Sequence, residues 1–228
     1  MNAKIKDSYQ EFFKFFRIDP HKFVDYGINT VITGEFPKVR DEWNKLIDRL
    51  KSNGEMWMRK PGSSGDLESH YKKFFKQCFK NNNLNIDITN NTIPNRVLKR
   101  VTKFRKSNGG KNSNLISLKH YQVSHVFDNK TKNPILFESP WNVVFMPRIF
   151  DPFSGHETEG RISEEFKKKL KQKVKNEFRS LILEYNNLLK EYSVEEEIIS
   201  YLNSIKDSVS ENELHLIKKG LFDNYSYL

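Results

Sequence analysis

The sequence predicts an α+β, mostly helical protein in which a small ββα unit is flanked by N- and C-terminal helices. Three observations predict it. Apolar residues fall at helical spacing through residues 1–80 and again from Ile162 onward. Between them, SLKHYQVSHVF and WNVVFMP alternate or run together β-branched and aromatic residues. A polar run, SNGGKNSN at 107–114, separates the halves. The expected division is 1–110, a helical region with a basic connector, and 111–228, the ββα core followed by helices.

The elements follow in order. Ser8 and Glu11 stand at capping-box spacing ahead of Phe12, Phe13 and Phe16. In FPKVRDEWNKLIDRL, residues Phe36, Val39, Trp43, Leu46, Ile47 and Leu50 share one helical face, and SNG at 52–54 stops it. PGSSGD at 61–66 reads as a loop, with Asp66 as a cap for a helix from Leu67. Leu84, Ile86 and Ile88 alternate with polar residues, a short strand. IPNRVLKRVTKFRK, 93–106, reads as one basic amphipathic helix, with Val97, Val101 and Phe104 on its apolar side. SLKHYQVSHVF reads as a strand, and ILF and WNVVFMP as further extended pieces. Ser163 with Glu164 and Glu165 starts a long helix through Phe166, Leu170, Val174, Phe178 and Leu181. Two more helices follow, with Ser193–Glu196 and Ser210–Glu213 as capping boxes and Gly220 closing the last. Gly155 and Gly160 mark backbone of unusual φ.

Composition narrows the function classes. The 228 residues suit one large domain or two small ones, and 18 phenylalanines supply an aromatic core. A single cysteine, Cys78, excludes an intramolecular disulfide and a cysteine-based zinc site, and in YKKFFKQCFK it reads as a structural thiol. The N-terminus has no apolar signal segment and no stretch approaches the ~20 apolar residues of a membrane span. A cytoplasmic protein without membrane contact is expected. The net charge of +10 favours a polyanionic partner.

Residues 89–156 carry the chemistry. No Asp or Glu lies between Asp87 and Asp128, yet that span holds Arg96, Lys99, Arg100, Lys103, Arg105 and Lys106. Such a block of cations is matched by a phosphate backbone. His120, His125 and His156 bracket a run dense in Trp, Asn, Asp and Glu.

The string HYQVSHVFDNKTKNPILFESPWNVVFMPRIFDPFSGHE resembles the HNH, or ββα-metal (His-Me finger), endonuclease motif over about 115–175. His125 in VSHVF matches the first position, Asn142 in PWNVVFMP the middle one, and His156 in SGHE the last. The sequence departs from the motif at Ser124, where an acidic or metal-binding residue is common, and in the longer gap from Asn142 to His156. The resemblance implies hydrolysis of DNA phosphodiesters with one divalent cation, Mg²⁺ or Mn²⁺. It implies His125 as general base and Asn142 as the residue that orients the imidazole or fixes the hairpin. It implies His156 as a metal ligand with Asp151 second and His120 and Glu157 in reserve, and Arg148 as a phosphate contact. The imidazole suits the first role because its pKa lies near working pH.

A restriction or phage-defence enzyme is the natural setting, with the helical flanks as recognition apparatus. A palindromic cutter needs a homodimer or two nicking events. The residues leave DNA against RNA open. They also leave two competing readings: a non-catalytic nucleic-acid-binding protein that uses the basic helix 93–106, and an interaction module whose basic face meets an acidic protein.

Overall fold

Val39, Trp43, Leu46 and Leu50 repeat at four- and three-residue steps and are all buried, which makes α3 (Phe36–Lys51) the first long helix of the fold. It follows α1 (Ser8–Phe15) and α2 (Pro20–Thr30). The computed structural model describes residues 7–61, 65–106, 114–154 and 159–228. After α3 come β1 (Met56–Arg59), α4 (Gly65–Phe79), β2 (Leu84–Asp87), α5 (Thr92–Val101), β3 (Phe104–Lys106), β4 (Ile116–Leu118) and β5 (Tyr121–His125). Then follow α6 (Pro134–Glu138), β6 (Val143–Pro147), α7 (Asp151–Ser154), α8 (Arg161–Glu177), α9 (Arg179–Glu191), α10 (Val194–Ile205) and α11 (Glu211–Asn224). The chain is α+β and mostly helical, as the sequence predicts.

Among the described residues the strands form three two-stranded pairs. β1 and β2 run parallel, joined across α4, as parallel strands require. β3 and β4 are also parallel. β5 and β6 are antiparallel, with Tyr121 opposite Pro147 and His125 opposite Val143. Ile32, just beyond α2, bridges to Phe145 and extends that pair by one residue. The boundary expected at 110/111 falls outside the described residues. Buried side chains on both sides of it, from Phe13 to Tyr225, belong to one connected core.

Several local expectations are corrected, each for a physical reason. The cap of α1 is Asp7, whose carboxylate accepts from the Tyr9 and Gln10 amides, rather than Ser8. After α3 it is Asn53, not Gly54, that takes the left-handed conformation. α4 begins at Gly65, so Asp66 lies in its first turn rather than capping it. The helix expected over 93–106 ends at Val101. Thr102 leaves helical geometry, and Lys103, Arg105 and Lys106 lie beyond it, on or beside β3. The strand expected through 118–125 is broken at His120, which has φ 58° and divides β4 from β5.

ILF is helical. Asn133 caps the Ile135 amide and Pro134 takes the first helical position, where its missing N–H costs nothing. α8 is capped at Gly160, with φ 102°, and Ser163 is buried inside its first turn. The apolar series through Leu181 is two helices that meet at Phe178. Ser193 is left-handed and forms no side-chain cap, whereas Ser210 does accept from the Glu213 amide. Gly220 lies inside α11, and a Cβ there would overlap the Tyr71 hydroxyl. Its glycine serves close packing, not termination.

Candidate functional site

β5 ends in His125, and the β5–β6 pair carries that residue to the wall of a polar cavity of about 440 Å³. The imidazole is 7% exposed. It stacks on Phe137 with ring centroids 5.2 Å apart and planes 21° apart. Its Nε2 lies 3.1 Å from the Phe137 carbonyl. A carbonyl only accepts, so Nε2 is the nitrogen that carries the proton. Burial pushes the imidazole pKa down to about 4, with the Arg59 charge adding to the effect. At neutral pH His125 is therefore uncharged, and its Nδ1 holds the free lone pair.

Asn142 is fully buried behind this contact. Its Oδ1 accepts from the Phe127 amide at 2.8 Å and its Nδ2 donates to the Leu136 carbonyl at 2.9 Å. Phe127 is two residues past His125, and Leu136 is the residue before Phe137. One side chain thus ties together the two stretches whose separation sets the His125–Phe137 bond. Trp141 beside it is core, packed against Trp43, Tyr185 and Phe127.

Several elements complete the cavity. β1 supplies Arg59 at its end, β3 supplies Lys106, and the 3-10 turn after β6 supplies the exposed Arg148. Asp128 and Asp151 are the carboxylates of the lining. Asp151 accepts a hydrogen bond from Gln122, which also lines the cavity. Asn90, left-handed at φ 59°, takes the Lys60 amide on its Oδ1 at 2.8 Å and so fixes the end of β1 beside the site. Three cations against two carboxylates and a neutral imidazole leave this lining positive.

The structure thus brings His125, Arg148, Asp151 and Lys106 to one cavity and sets Asn142 behind it. His120 is not brought there. Its side chain is exposed, and its carbonyl accepts from the Arg148 amide at 2.8 Å. His156 and Glu157 lie outside the described residues. Arg96 and Lys99 are exposed on α5, while Arg100 is paired with Glu42. Lys103 is exposed over the Phe104 ring, and Arg105 is half-buried. Among the described residues no group of three or more His, Cys, Asp or Glu is placed to hold a metal ion.

Sequence reasoning missed Arg59, Asn90 and Asp128. Asp128 had a signal, three positions after His125 in SHVFD. Arg59 had none, because it reaches the site through long-range ties of β1 to the segment after β5, the Arg59 amide on the Thr131 carbonyl at 3.1 Å and the Trp57 amide on Glu138 at 2.7 Å.

The fold and cavity define a mostly helical α+β protein with a polar, cation-rich pocket beside an antiparallel strand pair. The family model described as "Uncharacterised protein PM1201" matches residues 35–228, and the chain belongs to that family. A relative of that description from Pasteurella multocida (strain Pm70) is 36% identical over 188 residues, 82% of this chain and 81% of its own. No solved structure matches. No described helix is long and apolar enough to cross a membrane.

Proposed function

We propose that this protein is an HNH-type, metal-dependent endonuclease that hydrolyses nucleic-acid phosphodiesters, with DNA as substrate and a restriction or phage-defence setting. One observation carries the reading: His125, neutral with Nε2 committed to the Phe137 carbonyl, lines a cavity shared with Arg59, Lys106 and Arg148. The antiparallel β5–β6 pair, with α6 inserted between its strands and α7 and α8 after it, supports the ββα reading.

The residues have distinct roles in this reading. Nδ1 of His125 takes the proton from the attacking water. Asn142 acts as a positioning residue, since it is fully buried and reaches only the backbone on either side of the His125–Phe137 contact. Arg148 and Arg59, with Lys106, hold the phosphate and offset the charge that grows on it. Asp128 and Asp151 are hard oxygen donors. They are the donors that a magnesium or manganese ion would take here, since such ions are commonly held by one or two carboxylates plus water and phosphate. Such an ion would neutralise the phosphate and assist the leaving oxygen.

The test is plasmid cleavage by wild type and His125→Ala with Mg²⁺, Mn²⁺ or EDTA. Metal-dependent nicking that the substitution abolishes, with folding and DNA binding intact, is the expected result. Binding without cleavage of DNA or RNA under any metal overturns it. That outcome favours the second reading, a non-catalytic nucleic-acid-binding protein, for which the exposed Arg96 and Lys99 on α5 speak.

A further inference from the structure

A second cavity, of about 490 Å³, lies between α1, α2 and the start of α8. Its apolar lining is Phe13, Ile18, Pro20 and Ile162. Lys14, Arg17 and Arg161 line it too. His21 and Glu165 line it as well, and the Glu165 carboxylate is taken up by His21 and by Lys169, whereas Lys14, Arg17 and Arg161 have no ion pair among the described residues. Arg17 stands in the left-handed conformation (φ 54°) at the end of α1, where glycine is commonest, held by the Ile18 amide on the Phe13 carbonyl at 2.8 Å. The volume suits a small organic group, and the charges call for an anion on it.

A separate observation concerns the outer face of α1. Phe15 is 80% exposed and Phe16 59%, their rings 5.0 Å apart, with Lys14 and Arg17 on either side in sequence. Aromatic rings interleaved with cations form a surface on which unpaired bases stack while phosphates meet the charges. The N-terminal end of α1 meets α7, which reaches the first cavity. Phe153 of that helix packs on Tyr9 of α1 at 4.7 Å, and its neighbour Ser154 lines the His125 cavity. Residues 8–30, which form α1 and α2, lie outside the family match, while the elements of the His125 cavity lie within it.

We propose that the α1–α2–α8 pocket is a subsite for an unpaired nucleotide of the nucleic acid bound at the His125 cavity. Lys14, Arg17 and Arg161 take the phosphates, the base lies against Phe13, Ile18 and Ile162 inside the pocket, and the neighbouring unpaired base stacks on Phe15 and Phe16 at its outer edge. The inference rests on the nucleic-acid reading of that cavity and adds a substrate feature: a base held out of the stack beside the cleaved bond.

The test uses the full chain in EDTA with duplexes carrying a single 2-aminopurine moved along one strand. The expected result is a several-fold rise in emission at one or two positions. Lys14→Glu with Arg17→Glu should abolish the rise. Phe15→Ala with Phe16→Ala, both on exposed residues, should reduce it and weaken binding about tenfold or more. Cleavage in Mg²⁺ should persist at higher protein concentration, and the melting temperatures should be unchanged. A duplex that binds and is cut with no rise at any position, or with a rise that survives both pairs of substitutions, overturns the subsite and leaves the nuclease reading standing. No binding of any oligonucleotide by wild type overturns both. A dimer in sedimentation that Phe15→Ala with Phe16→Ala dissolves, with emission unchanged, assigns the aromatic face to a second copy and overturns the proposal.

Discussion

Nε2 of His125 donates to the Phe137 carbonyl at 3.1 Å, so the strand end and the helix α6 hold the imidazole in one tautomer. The bond also spans the loop that Asn142 pins from within. The chemistry proposed for the cavity and the stability of the hairpin therefore meet in the same few atoms.

The pH dependence follows from burial of the neutral ring. An unfolded histidine titrates near 6.5, whereas His125 is held at about 4. Between those values the unfolded chain binds a proton that the folded chain does not. Stability is then fully present above about 6.5 and is lost as pH falls toward 4. The loss from this group is about 2–3 kcal/mol between pH 7.5 and 4.5. Urea denaturation at the two values checks this, and His125→Gln should flatten that part of the profile. A cleavage rate that uses His125 as base should keep its acid limb well below 6.5.

Asn142→Ala should destabilise the protein by about 2–4 kcal/mol, since it leaves a buried amide and a buried carbonyl without partners. Asn142→Asp can still accept from the Phe127 amide but cannot donate to Leu136, so it should not rescue. Denaturant midpoints measure both. A cost below about 1 kcal/mol for either would contradict the pinning role.

Arg59→Ala and Arg148→Ala remove cations from exposed positions on the cavity wall. Each should cut cleavage by about 10²–10³-fold while moving the melting temperature little. Arg96→Ala on α5 should instead weaken binding and reduce its salt dependence, with the turnover of bound substrate unchanged.

Glu138 is 3% exposed, accepts from the Trp57 amide at 2.7 Å and from Arg49 Nη2 at 2.9 Å, and so locks β1 to α6. Burial raises its pKa and Arg49 opposes that rise. Arg49→Met leaves the buried carboxylate with the Trp57 amide alone and should cost about 1–3 kcal/mol in chemical denaturation. Glu138→Gln, which keeps an acceptor for Trp57, should cost less than Glu138→Ala.

Gly220→Ala tests the close approach of α11 to Tyr71. Alanine favours a helix by about 1 kcal/mol, so on propensity alone the change would stabilise. The overlap with the hydroxyl should reverse the sign. Tyr71→Phe in the same chain should restore part of the loss, a coupling that melting curves of the double mutant detect.

Much of the candidate site was legible because its signals are local. Period-two alternation placed His125 on a strand, and the apolar run after Asn142 placed the partner strand. ILF was misread as extended because a short apolar run suits either state, although Asn133–Pro134 is a cap followed by a favoured first helical residue. The long basic helix was misread because its cations continue past Val101 while the backbone turns at Thr102. Charge has no period to mark that end.

From the residues alone came the mostly helical class, the positive charge, the positions of the long amphipathic helices and His125 and Asn142 as candidates for the site. Only the tertiary structure decided that Arg59, Asn90, Lys106 and Asp128 share a cavity with His125, that His120 stands outside it, and that Gly220 faces Tyr71. The physical reason is range. Periodicity and caps act within a few residues, whereas the ties of β1 to the segment after β5 and the packing of α11 on α4 join residues far apart in the chain. Nothing local records which side chains such contacts bring together.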